Sequence, residues 1–325
     1  MAHSIKEEVL IQLDNTLLNE LSTHLKPIAD SWQPADLLPD AQNETFFEQV
    51  AALQQKASAL STDLLAVLVG DTITEEALPT YESWLYTLQP APLDRNSGWH
   101  KWIRGWTAEE NRHGDILNRY LYLSGRINMR EFEISTQYLL ADGFDVGTAH
   151  DPYKSFIYTS FQELATNISH RRVATLAKQS GNDELARICA LIASDEARHA
   201  RAYQSFASRI FEWDTDEIMC AFEAMMKKNI LMPAHFLRES GQERGGAFEH
   251  FSQAAQRTGV YTTMDYILIL ESLIEEWRIE KWNVISDRAK AAQEYLMHLP
   301  ARLRRMAQRM RPFKPAPAFS WINRE

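Results

Sequence analysis

Two nearly identical pentapeptides constrain the fold more than any other feature of the chain. EENRH occupies residues 109–113, and DEARH occupies residues 195–199, 86 positions later. On an α-helix, residues three or four apart share a face, so each pentad places a Glu and a His on one side of a helix. Burying a carboxylate is costly unless it has a partner or binds a metal. The neighbours at helical spacing are aromatic or aliphatic: Trp102, Trp106, Leu117 and Tyr120 beside the first pair, and Cys189, Ile192, Tyr203 and Phe206 beside the second.

A further Glu precedes each pentad by about one helical hairpin. Glu75 lies 35 residues before Glu110, and Glu163 lies 33 residues before Glu196. Two such helix pairs packed together bring four carboxylates and two imidazoles inward, which is the ligand set of di-iron and di-manganese bundles. Ligands without thiolate suit iron or manganese better than structural zinc. The predicted metal ligands are Glu110, His113, Glu163, Glu196, His199 and either Glu75 or Glu76, between which periodicity does not choose.

Each of these residues also has a purely structural interpretation. Glu163 shares its helix face with Thr166 and His170, so a buried polar network is an alternative to metal binding. The first acids of the pentads, Glu109 and Asp195, fit ordinary solvent-facing positions, and the two pentad arginines fit ion pairs on a helix surface. The repetition of the whole pattern favours the metal site over these separate explanations.

Composition excludes several classes of protein. The chain has 325 residues, 45% of them hydrophobic and 24% charged, which is typical of a globular protein. A formal net charge of −10 disfavours binding to nucleic acid. Only two cysteines occur, Cys189 and Cys220, so neither a disulfide framework nor a zinc ribbon is expected. The first twenty residues have no apolar core of a signal peptide, and no apolar run is long enough to span a membrane. We expect a cytoplasmic protein.

Helical periodicity dominates the chain, and turn-rich stretches separate its segments. One all-α domain covering residues 1–325 is expected, with a core at 31–310 and an extended Pro-rich tail at 311–325. The predicted helices are 4–25, 44–68, 73–88, 98–125, 129–141, 153–179, 182–210, 214–229, 262–284 and 288–310.

Several longer stretches resemble the soluble acyl-[acyl-carrier-protein] desaturases, the stearoyl-ACP desaturase-like members of the ferritin-like di-iron superfamily. They include GDTITEEALPTY (70–81), RGWTAEENRHGDILNRYLYLSGRINM (104–129), PYKSFIYTSFQELATNISH (152–170) and MPAH (232–235). The resemblance implies a ferritin-like four-helix di-iron bundle with additional flanking helices. It also implies a homodimer that uses O2 and electrons from reduced ferredoxin to place a cis double bond in a fatty acyl chain carried on acyl carrier protein (ACP).

The same resemblance assigns roles to the metal ligands. Glu75, rather than Glu76, and Glu163 are implied as terminal ligands, one for each iron. Glu110 and Glu196 are implied as bridging carboxylates, and each iron receives one of the two histidines, His113 and His199. Manganese accepts the same ligands and is an alternative metal.

Other residues are candidates for supporting roles. Asp195 is the expected hydrogen-bond acceptor for His113, because a metal-bound His donates its other N–H. Trp106 and Trp32 are candidates for an electron route, with core packing as the alternative. Thr166 is a candidate for steering protons, with a plain helix-bonded hydroxyl as the alternative. The expected lining of a long apolar acyl cavity is Trp84, Leu85, Thr87, Ser155 and Phe156.

An acidic partner such as ACP or ferredoxin requires a local basic surface on this acidic chain. The candidates are Lys227 with Lys228, Arg171 with Arg172, and the segment 301–314, which has five Arg and one Lys and no acid.

Two rival functions remain at this point. A radical subunit resembling that of ribonucleotide reductase needs a redox-active Tyr beside the metals, and Tyr203 is the nearest candidate. A ferritin-like iron store is usually a single short bundle, whereas this chain has further predicted helices after the second pentad.

Overall fold

The computed structural model describes residues 4–88, 94–238, 246–309 and 321–322. Within these ranges the only β-pairing is an isolated bridge between Ile127 and Ile322, so the prediction of an all-α fold is confirmed. The α-helices of the described ranges are α1 (Ile5–His24), α2 (Phe46–Ser58), α3 (Thr62–Glu76), α4 (Leu78–Tyr86), α5 (Gly98–Ser124), α6 (Met129–Asp142), α7 (Pro152–Gln179), α8 (Asp183–Trp213), α9 (Thr215–Lys228), α10 (Gly246–Thr258), α11 (Thr263–Glu276) and α12 (Asp287–Ala307).

Four helices form the central bundle, as predicted. Helix α3 packs against α5 and α7, and α8 packs against the same two helices. Flanking helices then cover the outside: α1 lies on α5 and α8, α10 on α3, α11 on α7, and α12 on α9 and α11. Most residues of α3 are buried, and so are long runs of α7, because each is enclosed by bundle neighbours and flanking helices.

Side-chain caps fix where the three long bundle helices begin. Ser97 accepts a backbone N–H of α5 at 3.1 Å, Asp151 one of α7 at 2.9 Å, and Asn182 one of α8 at 3.1 Å. Both pentads therefore lie well inside regular helix, where residues three apart must share a face.

Three predicted helices have different bounds in the structure, and one helix was missed. The predicted helix 44–68 is two helices, because Ser61 caps the second one by accepting the Leu64 N–H at 3.2 Å. The predicted helix 73–88 is interrupted at Ala77, two residues before Pro79, which has no N–H to donate. Helix α10 was not predicted, and α11 ends at Glu276 rather than at 284.

Only residues 321 and 322 of the predicted tail lie in the described part of the chain. Trp321 is buried, and its carbonyl accepts the Asn128 N–H at 2.6 Å. The rest of the tail lies outside the described residues, and the single-domain division stays a prediction.

No single helix among the described residues is long and apolar enough to cross a membrane. One bent pair, Phe46–Ser58 followed by Thr62–Tyr86, meets the length and composition criteria jointly, with a bend of 115° at its break.

The start of α5 lies directly against the backbone of α1. A Cβ atom at Gly98 would overlap the Asp14 carbonyl and lie 2.6 Å from the Leu18 nitrogen. We expect Gly98→Ala to lower the free energy of unfolding by about 1–3 kcal/mol, because the two backbones must separate. Urea unfolding followed by circular dichroism measures this.

Gly105→Ala on the same helix is the matched control. Its Cβ would meet only the flexible Leu25 side chain, so we expect the free energy of unfolding to change by less than about 1 kcal/mol. Equal losses in the two variants would show that the α1–α5 contact does not depend on Gly98.

Candidate metal centre

Six buried side chains converge at the centre of the bundle. Glu75 comes from α3, Glu110 and His113 from α5, Glu163 from α7, and Glu196 and His199 from α8. They form two overlapping groups whose possible ligand atoms lie within 4.8 Å of one another. The groups are Glu75, Glu110, His113 and Glu196, and Glu110, Glu163, Glu196 and His199. The two carboxylates common to both groups are Glu110 and Glu196.

The Nδ1 atoms of the two histidines face this cluster. His199 Nδ1 lies 2.6 Å from Glu110 Oε1 and 3.6 Å from Glu163 Oε2. His113 Nδ1 lies 2.9 Å from Glu196 Oε1, with Glu110 Oε2 at 3.2 Å and Glu75 Oε2 at 3.7 Å. Each histidine thus contacts the shared carboxylate of the opposite helix and has a different terminal carboxylate nearby.

The outer nitrogens of the histidines face the first acids of the pentads, in a crossed arrangement. His199 Nε2 lies 2.8 Å from Glu109 Oε2, so the acid of the first pentad holds the histidine of the second. His113 Nε2 lies 3.6 Å from Asp195 Oδ2, which is longer than a hydrogen bond. The sequence analysis assigned this role only to Asp195. Glu109, for which a solvent-facing position was expected, is buried; the acid repeated at the first position of both pentads is the signal that could have identified it.

Cations surround these two acids and connect the pentads to the N-terminal segment. Asp195 accepts hydrogen bonds from Lys26 at 2.8 Å, Arg198 at 2.9 Å and the Trp32 indole at 3.0 Å. Arg198 also donates to Glu109. Burial raises the pKa of the Asp195 carboxyl, but nearby His113, Lys26 and Arg198 outweigh it and hold that pKa well below its usual range. Asp195 is therefore a buried, fully charged group.

Trp106 and Thr166 both contact the carboxylates directly. The Trp106 indole donates to Glu163 Oε1 at 3.1 Å, and the Thr166 hydroxyl lies 2.5 Å from Glu196 Oε2. The Thr166 hydroxyl also lies within 3.2 Å of two carbonyls of its own helix. The same hydroxyl can therefore donate either to its helix or to the Glu196 carboxylate.

His170 is a site residue whose role the sequence analysis left open. Its Nε2 lies 2.8 Å from Glu75 Oε1, and it is fully buried. His170 follows Glu163 by two helical turns, so its position on the same face was visible in the sequence, but its partner on α3 was not. This contact fixes the Glu75 carboxylate from outside the cluster.

The donor atoms of the cluster fit a pair of metal ions. Glu110 Oε1, Glu163 Oε2, Glu196 Oε1 and His199 Nδ1 are buried, and within the described part of the chain none makes a hydrogen bond of good geometry, although the histidine nitrogens lie close to the carboxylates. Burial and the charges of Glu196 and Glu110 raise the pKa of Glu163 well above its usual range, so this carboxylate needs a proton or a cation. Four carboxylates and two imidazoles without thiolate suit iron or manganese.

Comparison with known proteins assigns the chain to a family. The sequence matches the family model described as fatty acid desaturase over residues 5–323. The chain belongs to the fatty acid desaturase family. It is 48% identical, over 98% of its length, to the chloroplastic stearoyl-[acyl-carrier-protein] 9-desaturase of Spinacia oleracea, of which it covers 80%. It is 44% identical, over 99% of its length, to the chloroplastic palmitoyl-[acyl-carrier-protein] 4-desaturase 3 of Ophrys sphegodes, of which it covers 83%.

A solved structure supports the fold. The crystal structure of DesA2 from Mycobacterium tuberculosis aligns with a TM-score of 0.54 at 19% sequence identity, covering 88% of this chain and 99% of that one. The ferritin-like bundle expected from the sequence is thereby confirmed.

A cavity adjoins the cluster in this desaturase family member. Its volume is about 390 Å³, within the range of ligand pockets. Its wall from α3 and α7 combines apolar side chains, among them Val67, Phe161 and Ala165, with polar ones. Asp71 and Ser169 belong to this wall and hydrogen-bond to each other at 2.8 Å. Thr166 also lines the cavity and contacts Glu196, so the cavity lies one side chain away from the metal cluster.

The lining residues expected from the sequence, Trp84, Leu85, Thr87, Ser155 and Phe156, do not line this cavity. Near them the Trp99 indole donates to the Leu85 carbonyl at 3.0 Å, and its ring lies 5.2 Å from that of Phe156. Their role in holding an acyl chain stays a prediction.

We expect removal of the buried charge at position 195 to be strongly destabilising. Asp195→Ala leaves the Lys26 ammonium without its partner and Arg198 with Glu109 alone, and breaking a buried pair costs about 3–5 kcal/mol. Urea unfolding of metal-free protein measures this cost separately from any loss of metal.

Asp115→Ala provides the comparison, because it breaks a pair with Arg119 whose side chains are 36% and 56% exposed. We expect this variant to lose less than about 1 kcal/mol of its free energy of unfolding. A similar small loss for Asp195→Ala would contradict the importance of the crossed charge network.

Proposed function

We propose that the chain introduces a cis double bond into a saturated fatty acyl chain attached to ACP. The observation that carries the proposal is the six-residue cluster at the inner end of an apolar cavity, in a chain 48% identical to a named stearoyl-ACP desaturase. In the balanced reaction, O2 accepts two electrons and two protons from the acyl chain, and two electrons from a donor with two protons from solvent. The products are the double bond and two waters.

We further propose the ligand roles. Glu110 and Glu196 would be shared by the two irons, Glu75 and Glu163 would each hold one of them, and one histidine would complete each site. The overlap of the two ligand groups at the two proposed bridges supports this assignment. When bound, the metals supply the reductive activation of O2 that an unactivated carbon chain requires. Manganese is supported equally by the donor set.

The remaining roles concern the protein's own groups. The apolar wall holds the acyl chain and excludes water beside the cluster. Thr166 lies at the boundary of cavity and cluster, so its hydroxyl holds a proton within reach of the Glu196 carboxylate. The hydrogen bond from Trp106 orients Glu163, and Glu109 orients His199 at 2.8 Å. Asp195, 3.6 Å from His113 Nε2, acts on that histidine through its charge.

The two external electrons require a donor, which we propose is reduced ferredoxin. Trp32 supports an electron route at this site, since its ring lies parallel to His113 at 6.0 Å between centroids and is only partly buried. Trp106 is the second candidate, through its bond to Glu163. The homodimer and the cytoplasmic location stay predictions.

Metal stoichiometry tests the ligand roles. Glu110→Ala removes a carboxylate common to both groups, so we expect loss of both irons. Glu75→Ala removes a carboxylate of one group only, so we expect about half the iron to remain. Elemental analysis after iron loading measures the ratio, and circular dichroism checks the fold. Full iron content in the Glu110 variant would contradict the bridging role.

Product analysis tests the reaction. Iron-loaded protein with reduced ferredoxin, O2 and a panel of saturated acyl-ACPs is expected to yield a monounsaturated acid. Mass spectrometry of the released fatty acids identifies the chain length and the bond position. Two bound irons with no product from any chain length would instead favour another di-iron oxidase or an iron-handling protein.

A further inference from the structure

We propose that Arg172 is a positioning residue for the acyl chain, an inference that rests on the proposed function. Arg172 lies on α7 and does not itself line the cavity. It connects the turn between α10 and α11 to α7, and that turn carries part of the cavity wall. The place of the acyl chain beside the metal cluster thus depends on a residue outside the cavity.

The Arg172 guanidinium is bonded to both flanking helices. It donates two hydrogen bonds of 2.6 Å to the two carboxylate oxygens of Asp265, in the first turn of α11. It also donates to the carbonyls of Gly259, at 2.9 Å, and Val260, at 3.3 Å, which follow the last residue of α10. These four contacts, the Arg172 clamp, hold the end of α10 and the start of α11 against α7.

The contacts of the Arg172 clamp require an arginine. A planar guanidinium presents paired N–H donors that match both oxygens of a carboxylate, whereas a lysine ammonium acts as a single point of charge. Asp265 is buried, and Thr262 also donates to it through its backbone N–H at 2.8 Å and its hydroxyl at 2.7 Å. Within the described ranges, Arg172 is the one cation within 4 Å of this carboxylate. Without it, the carboxylate would stay buried beside neutral donors alone.

The turn held by the Arg172 clamp lines the cavity. Tyr261 and Thr262, which follow the two carbonyls that accept from Arg172, belong to the cavity wall, and so does Tyr266, the residue after Asp265. A shift of this turn away from α7 would therefore move several wall residues together.

The facing wall belongs to the same helix as Arg172. The Tyr266 ring packs against the Phe161 ring of α7, with 4.6 Å between the ring centroids, and both residues line the cavity. Ser169, another wall residue of α7, lies one helical turn before Arg172. The Arg172 clamp thus lies next to the cavity and sets the distance between its α7 side and its α11 side.

An alkyl chain has no polar group by which a site could fix its position along a cavity, so the shape of the wall must do so. A looser wall would let the chain slide and place neighbouring carbons beside the cluster. Because misplacing reacting atoms by about 1 Å can lower a rate about 100-fold, we expect the Arg172 clamp to act on the rate and on the bond position more than on affinity.

Removal of the guanidinium tests the proposal. In full-length, iron-loaded Arg172→Ala, we expect backbone amides of residues 259–266 to exchange hydrogen at least about tenfold faster than in wild type. We expect kcat on stearoyl-ACP or palmitoyl-ACP to fall about tenfold, with KM changed less than about twofold. Double bonds should also appear beside the position that wild type prefers. Hydrogen-exchange mass spectrometry, steady-state assays and mass spectrometry of the fatty acids measure these effects.

The neighbouring residue provides a control matched in charge. Arg171 is exposed and borders a surface groove between α7 and α8 rather than the cavity. Arg171→Ala removes the same charge one position away, and we expect it to behave as wild type in exchange, kcat and bond position.

Two further variants keep the test decisive if Arg172→Ala folds poorly. Arg172→Lys retains the charge but loses the paired donors, so we expect the same changes at smaller size. Asp265→Asn removes the partner instead, and combining it with Arg172→Ala should add little to the larger single effect, because both remove one interaction. Iron content and circular dichroism should match wild type throughout.

The contrary outcomes are distinct. Wild-type exchange at residues 259–266 in both Arg172 variants would show that the turn does not depend on the clamp. Faster exchange with unchanged kcat and bond position would make the clamp structural only. A higher KM that recovers at high salt, with unchanged kcat, would instead make Arg172 a docking charge. A wild-type protein with two irons and no product from any acyl-ACP would refute the proposed function, whereas the exchange result would still decide whether Arg172 holds the turn.

Discussion

The concentration of negative charge at the bundle centre is the constraint on which the rest of the structure depends. Four carboxylates and two imidazoles lie within a few ångströms of one another, away from water. Carboxylates so buried repel one another and lose their hydration. Metal cations offset the repulsion from inside. The crossed pentads, with Arg198 between Asp195 and Glu109, hold the two histidines from outside, which is why each pentad needs its acid and its arginine as well as its ligands.

The flanking helices follow from the same constraint. A bundle of four helices alone would leave α3 and α7 open to solvent, yet both carry ligands on faces surrounded by apolar residues. Helices α10 and α11 cover them, and α1 covers the other pair. The N-terminal segment does more than cover: Lys26 and Trp32 both bond to Asp195. Enclosure of the site and compensation of its charge thus come from the same elements.

Features that depend on local periodicity could be predicted from the sequence. The faces of α5 and α8 followed from spacing three and four, because caps at Ser97 and Asn182 keep the pentads in regular helix. The sequence did not predict features that need a second element. His170 meets Glu75 only after α7 packs on α3, and part of the cavity wall comes from α10, which the sequence analysis did not predict. The break before Ser61 was missed because apolar periodicity continues through it.

The two sides of the cluster differ in polarity, which suits the proposed entry of electrons on one side and of an acyl chain on the other. Arg112, Arg198 and Lys26 make one side a charged network connected to the surface through Trp32. On the other side, Thr166 lies between the Glu196 carboxylate and the cavity, whose wall also includes Asp71, Thr74 and Ser169 beside its apolar residues. Electrons tolerate a charged, hydrogen-bonded path, whereas an alkyl chain requires a dry one. The charged network and the cavity lie on different helix pairs, so neither path requires the cluster to be opened to water.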